Sequence, residues 1–172
     1  MMDHPQEPPA IVVGIDGSPP ALLALRWAWA LAPQLKAHIR AVTAWEFQIA
    51  FGTFTPVVWR PDEEARRICS DAITKAFGSA PPEGLEMIIR QGSPAKVLIE
   101  ESRRARLVVL GSRGHGGFEG LLLGSVSATV AEHAKCSVLI AHGTAIPPEL
   151  AGAPAPAPPM ESPLPEADHG RP

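Results

Sequence analysis

The residues best placed to do chemistry lie in one stretch, GSRGHGGFEGLLLGSVSATV from position 111. Glycines stand at 111, 114, 116, 117, 120 and 124, and Ser125 follows the last of them. A glycine-rich turn brings bare backbone N–H groups against an anion, because no side chain holds the ligand away. If Ser125 opens a helix, the first N–H groups and the helix dipole pull on the same phosphate. Arg113 adds a fixed positive charge, or is a solvated surface residue. His115 is the one candidate general base in the stretch; a histidine that faces solvent or brushes a ligand is the plainer reading, since nothing visible orients it.

Better-known motifs do not fit. A P-loop needs Gly-Lys followed by Ser or Thr, and no Gly-Lys pair occurs in the chain. A dinucleotide fingerprint begun at Gly114 and Gly116 would need glycine at 119, where Glu119 stands. No GxSxG nucleophile elbow is present.

These residues need elements to hold them. Residues 11–15 (IVVGI) are short, β-branched and apolar, as in a strand buried on both faces. Asp16, Gly17 and Ser18 end it; Ser18 suits an N-cap and Pro19 a first helical position. A largely apolar helix follows to 35. Strands are expected at 39–45, 85–90, 107–110 and 137–141. Helices are expected at 62–77, from the cap-like Ser93-Pro94 to about 105, and at 125–134. Five apolar strands separated by four helices imply a parallel, doubly wound sheet with helices on both faces. In such sheets ligands bind beyond the carboxyl ends of the strands, where strand order reverses. Three segments follow strands in the required way: 16–18, 92–94 and the loop from 111.

The spacing Gly111-x-x-Gly114, nine residues, then Gly124-Ser125 resembles the ATP-binding class of the universal stress protein family. VVGIDGSPPA, RQGSPAKVLIEE and HAKCSVLIAH resemble that family's first strand and turn, its Gly-x-Pro segment, and its closing helix and strand. The resemblance covers residues 11–142. It implies an adenine-nucleotide hydrolase-like sheet in the order 3-2-1-4-5, and ATP with Mg²⁺ carried on the phosphates. By position, Gly14, Ile15 and Asp16 would meet the adenine or ribose. The backbone near Ala44 would meet the adenine edge, with Val42 as rival. Leu110, Gly111, Arg113 and Gly114 would line the ribose and phosphates. Gly124, Ser125, Val126 and Ser127 would offer N–H groups and hydroxyls to the triphosphate. Asp16 by itself could equally be a turn former. Gly124 is expected to need glycine, because a side chain would occupy the space of the phosphates and because of its backbone geometry; Gly92 and Pro94 are expected to shape a turn without touching ligand. The family also implies a homodimer through the fifth strand. A nucleotide-dependent stress-response module is favoured, with slow turnover at most, over an ATPase, a phosphotransferase or a binder of AMP or cyclic AMP.

Composition bounds the rest. The 172 residues are 45% hydrophobic and carry net charge −3, which fits one domain and excludes an obvious nucleic-acid or anionic-membrane binder. No run reaches the roughly 18 apolar residues of a membrane span. The start lacks a secretory pattern, so the cytoplasm is expected. Cys69 and Cys136 are far apart and read as structural thiols. The four tryptophans form no basic stacking platform and suit packing or partner contact. Residues 1–10 read as a flexible extension. Residues 143–172 hold nine of the 20 prolines and read as a disordered tail, alternatively a docking peptide for a protein partner.

Overall fold

A computed structural model describes residues 9–46, 60–114 and 122–150. The strands are β1 (Ala10–Gly14), β2 (His38–Trp45), β3 (Leu85–Gln91), β4 (Ala105–Gly111) and β5 (Ser137–Ala141). The helices are α1 (Pro19–Leu35), α2 (Pro61–Phe77), α3 (Pro94–Glu101) and α4 (Ser125–His133), with a 3-10 turn at Ser102–Arg104. All five strands run parallel in the order β3-β2-β1-β4-β5, the order expected.

Strand alternation divides the core into two layers. Ile11, Val13, Ile39, Ala41 and Val109 face α1 and α2, meeting Leu25, Ala28 and Cys69. Val12, Val42, Val108 and Leu110 face the other way, against Leu98 of α3 and Val130 of α4. The central strands are thus buried on both faces, which is why they read as unbroken apolar runs.

Helix starts follow local chemistry. The Ser18 hydroxyl accepts the Ala21 N–H at 3.4 Å and its carbonyl accepts Ala21 and Leu22, so Pro19 costs no hydrogen bond. Lys36 closes α1 in the left-handed conformation, φ 47°. Ser93 precedes α3 as expected but caps it through its backbone: its carbonyl takes the Val97 N–H at 3.0 Å, and its side chain makes no cap bond. The third helix is shorter than the sequence suggests. The Ser102 hydroxyl turns back to the Ile99 carbonyl at 2.6 Å, the chain tightens into the 3-10 turn, and β4 starts at Ala105 because that residue pairs with Ala10. Ile146 packs against the α1-side core, so packed residues extend past 142. Trp29 is 46% exposed, edge-on to Phe77 with ring centroids 6.1 Å apart. Trp27 packs against the α1-side core, and Trp59 lies outside the described residues.

Candidate functional site

Strand order reverses between β1 and β4, and a cavity of about 440 Å³ opens beyond their carboxyl ends. That volume falls within the usual range of small-molecule pockets, roughly 300–1,000 Å³. The twelve residues assigned to the nucleotide through the resemblance all line it. Gly14, Ile15 and Asp16 come from the end of β1, and Ala44 from β2. Leu110, Gly111, Arg113 and Gly114 come from the end of β4, and Gly124, Ser125, Val126 and Ser127 from the start of α4. The rival Val42 lines it as well, as does Pro94, expected only to shape a turn.

Asp16 is fixed by its own turn. Its Oδ1 accepts the Ser18 N–H at 2.9 Å and the Ser18 hydroxyl at 2.5 Å, while Gly17 takes φ 83° to let the chain double back. The carboxylate approaches Gly114 so closely that a Cβ there would fall on Oδ2. The turn-forming and site-lining readings of Asp16 therefore hold together.

The 111–114 segment is held by its carbonyls. Gly111 C=O accepts the Ser127 hydroxyl at 2.7 Å, and Ser112 C=O accepts the Gly124 N–H at 2.8 Å. Arg113 C=O lies 3.5 Å from the Ser18 hydroxyl. Ser127 is 6% exposed; its hydroxyl, expected to face a phosphate, points its proton at Gly111 instead. The first helical bond of α4 runs from Ala128 N–H to Gly124 C=O at 2.9 Å. The N–H groups of Ser125, Val126 and Ser127 precede it, at the positive end of the helix.

The glycines serve different purposes. Gly124 has φ −71° and ψ 160°, open to any residue. A Cβ there would sit 3.5 Å from Arg113 Cα, an ordinary contact. The expectation that this position needs glycine's backbone freedom is corrected. At Gly111 a Cβ would come within 2.6 Å of the Pro20 backbone, and at Gly14 within 2.6 Å of Leu110. Those two glycines let β1, β4 and α1 pack.

One wall was missed by the sequence: Trp45 and Glu46 at the end of β2, and Pro61, Glu64, Ala65 and Ile68 from α2. The available signal was general, since each helix after a strand in a parallel sheet begins at the carboxyl edge. The described lining is polarised. Asp16, Glu46 and Glu64 are its carboxylates and Arg113 its one cation. His115, Gly116, Gly117, Glu119 and Gly120 lie outside the described residues. Cys69 is fully buried on α2, its thiol 3.7 Å from the Ala41 carbonyl. Burial pushes that thiol's pKa up, partly offset by the Thr43 hydroxyl and by Arg66, which suits an inert structural role. Among the described residues no group of three metal-ligating side chains occurs, and no helix is long and apolar enough to cross a membrane.

A doubly wound sheet with a glycine-lined cavity at its switch point defines a ligand-binding α/β domain. The sequence profile of the universal stress protein family matches residues 9–142, and this chain belongs to that family. The universal stress protein Rv2623 of Mycobacterium tuberculosis is 32% identical over 142 residues, covering 82% of this chain and 47% of that protein. A universal stress protein of Mycolicibacterium smegmatis is 34% identical over 133 residues, covering 76% and 44%. The chain spans about half the length of these curated relatives. Among solved structures, a universal stress protein in complex with cAMP superposes with TM-score 0.52 at 31% identity, covering 78% of this chain and 97% of the other. UspA from Lactobacillus plantarum superposes with TM-score 0.57 at 22% identity, covering 78% and 97%, which shows the shared fold.

Proposed function

We propose that the cavity binds an adenine nucleotide, ATP with Mg²⁺, and that the protein is a nucleotide-dependent stress-response module with slow turnover at most. The observation that carries this reading is the convergence of the 111–114 segment, the start of α4 and Asp16 on one cavity. Phosphates would lie against the N–H groups of 125–127 and Arg113, the Gly124 N–H being taken by the Ser112 carbonyl, with the ribose by Asp16 and the base between Ala44 and α2. Mg²⁺ would arrive on the phosphates and neutralise part of their charge. The cAMP complex of a relative at 31% identity keeps a monophosphate or cyclic nucleotide as the second reading.

Slow turnover follows from the demands of phosphoryl transfer, which needs an oriented nucleophile as well as charge. The described lining supplies charge, and Asp16 is tied to Ser18 at the nucleoside end. The protein is also proposed to act in the cytoplasm as a homodimer paired through β5, a short apolar edge strand. Light scattering should then give twice the 18.2 kDa chain mass, and a monomer at micromolar concentration would refute the pairing.

The deciding experiment is mass spectrometry of nucleotide released from the purified, heat-denatured protein. ATP is expected. Absence of any adenylate, together with no calorimetric binding of ATP, AMP or cAMP at millimolar concentration, would overturn the proposal. Phosphate release should stay below about one per minute, against roughly 1–1,000 per second for ordinary enzymes. Turnover above about one per second that collapses in His115→Ala would make this an enzyme.

A further inference from the structure

The edge of the sheet opposite the cavity carries unbalanced positive charge. Lys36 closes α1, and Arg106 donates from Nη1 to the Leu35 carbonyl at 2.8 Å. The Lys135 N–H bonds the Ser102 hydroxyl at 2.8 Å, beside Arg103 and Arg104. The pairings Ala10 with Ala105 and Leu107 with Ser137 bring these residues to the amino ends of β1, β4 and β5. All five cations are exposed. Arg103 pairs with Glu100 at 2.8 Å. Among the described residues no ion pair joins Lys36, Arg104, Arg106 or Lys135 to a carboxylate.

Helix ends account for part of this charge. The carboxyl-terminal ends of α1, α4 and the α3 turn point to the same edge, each equivalent to roughly −0.5 charge. Five cations against Glu100 and Glu132 leave three positive charges, and the three helix ends together offset about half of that. A net attraction for an acidic segment remains.

The chain itself contains one. Residues 151–172 hold Glu161, Glu166 and Asp168 against a single cation, Arg171. Their seven prolines fix φ, so less backbone freedom is lost on docking. The approach is set by described residues. Gly143 takes φ 95° after β5, and Ile146 then seats the chain on the α1 side of the core. Helix α1, with its 17 residues, is about 25 Å long. The eleven residues from Leu150 to Glu161 reach at most about 35 Å, enough to pass from one edge of the sheet to the other.

We propose that the acidic, proline-rich segment 151–172 docks on the basic edge formed by Lys36, Arg104, Arg106 and Lys135, through Glu161, Glu166 and Asp168. The surface lies at the opposite edge from the cavity, so this docking stands independently of the nucleotide reading. Exposed ion pairs are individually weak. Tethering compensates by holding the segment at an effective concentration on the order of millimolar. Docking is therefore salt-sensitive and intramolecular.

The test is zero-length carbodiimide coupling of the full 172-residue chain, with linked peptides read by mass spectrometry in an equal mixture of unlabelled and ¹⁵N-labelled protein. Links from Lys36 or Lys135 to Glu161, Glu166 or Asp168 are expected within single chains. Their yield should fall about tenfold in 1 M salt, where the Debye length is about 3 Å. It should fall similarly in Arg104→Glu/Arg106→Glu, which keeps both reporting lysines; an unchanged circular dichroism melt shows that this variant is folded. If it unfolds, amide shifts of Lys36 and Lys135 between the full chain and one ended at Leu150 replace it, and identical spectra overturn the proposal. No links, links only between differently labelled chains, or yields indifferent to salt also overturn it.

Discussion

Replacing Gly114 by alanine tests the proposed site at its tightest contact. Gly114 is not at positive φ, so alanine suits its backbone, and any effect must come from space. A Cβ there falls on Asp16 Oδ2, with Cγ 3.5 Å away. The carboxylate cannot simply swing aside, because Oδ1 is held by the Ser18 N–H at 2.9 Å and the Ser18 hydroxyl at 2.5 Å. Either the loop or the carboxylate must shift, an overpacking that typically costs about 1–3 kcal/mol of stability. If Asp16 holds the ribose, the shift also weakens a hydrogen bond to a charged group, worth about 1.5–3 kcal/mol. Affinity for ATP should then fall about ten- to a hundredfold. Gly124→Ala is the control. Its Cβ meets Arg113 Cα at 3.5 Å and the Gly114 nitrogen at 3.6 Å, both ordinary contacts. A change in stability within about 0.5 kcal/mol is expected there. Thermal melts of both variants, with isothermal titration calorimetry on Gly114→Ala below its melting temperature, supply the comparison. A folded Gly114→Ala that binds as wild type, or a Gly124→Ala destabilised as much as Gly114→Ala, would refute the reasoning.

The hydroxyl of Ser127 holds the buried Gly111 carbonyl. Ser127→Ala should cost about 1–3 kcal/mol in urea melts, and Ser127→Thr should restore much of it; an unaffected alanine variant would mean that the carbonyl finds another donor. Burial raises the pKa of the Cys69 and Cys136 thiols in the folded protein. Their stabilising contribution is full below the unfolded value of about 8.5 and is lost as pH climbs through the folded values. Urea midpoints at pH 7.5 and 9.5 should converge in Cys69→Ala/Cys136→Ala, and an undiminished alkaline loss in that variant would place its origin elsewhere. A chain ended at Leu150 should melt only slightly below the full chain, since the exposed docking pairs are individually weak, whereas one ended at His142 also loses the Ile146 contact and about 1 kcal/mol. Equal melting of the two truncated chains would show that Ile146 adds nothing.

Strands buried on both faces were legible because burial leaves an unbroken apolar run, as in 11–15. The start of β4 was not, since Ala105 and Arg106 look like the end of a helix. Only the pairing of Ala105 with Ala10 makes them strand. Site residues next to strand ends in sequence were legible for the same topological reason. The α2 wall was not: Glu64 and Ile68 are separated from β2 by residues 46–60, and their place over the cavity is decided by packing in three dimensions. Glycine spacing marked the loop but not each glycine's purpose. Gly111 is required by Pro20 and Gly114 by Asp16, while Gly124 has room for a side chain.

Those glycines act together with two donors at the start of α4. The carbonyls of Gly111 and Ser112 accept from Ser127 and Gly124 at the start of α4, and that of Arg113 faces the Ser18 hydroxyl before α1. A peptide unit points its N–H opposite to its C=O. The Ser112 N–H, opposite the Gly111 carbonyl, donates to the Ala141 carbonyl at 2.9 Å, so the bias toward N–H groups along the cavity is confined to Arg113 and Gly114, opposite the carbonyls of Ser112 and Arg113. Carbonyl oxygens facing inward would repel phosphate, and the same glycines without these donors could present either. The anion preference proposed for the site thus rests on the pairing of small residues with Gly124 and Ser127 as much as on Arg113. It follows that the loop can keep its glycine spacing and still lose its ligand when one of those donors is removed.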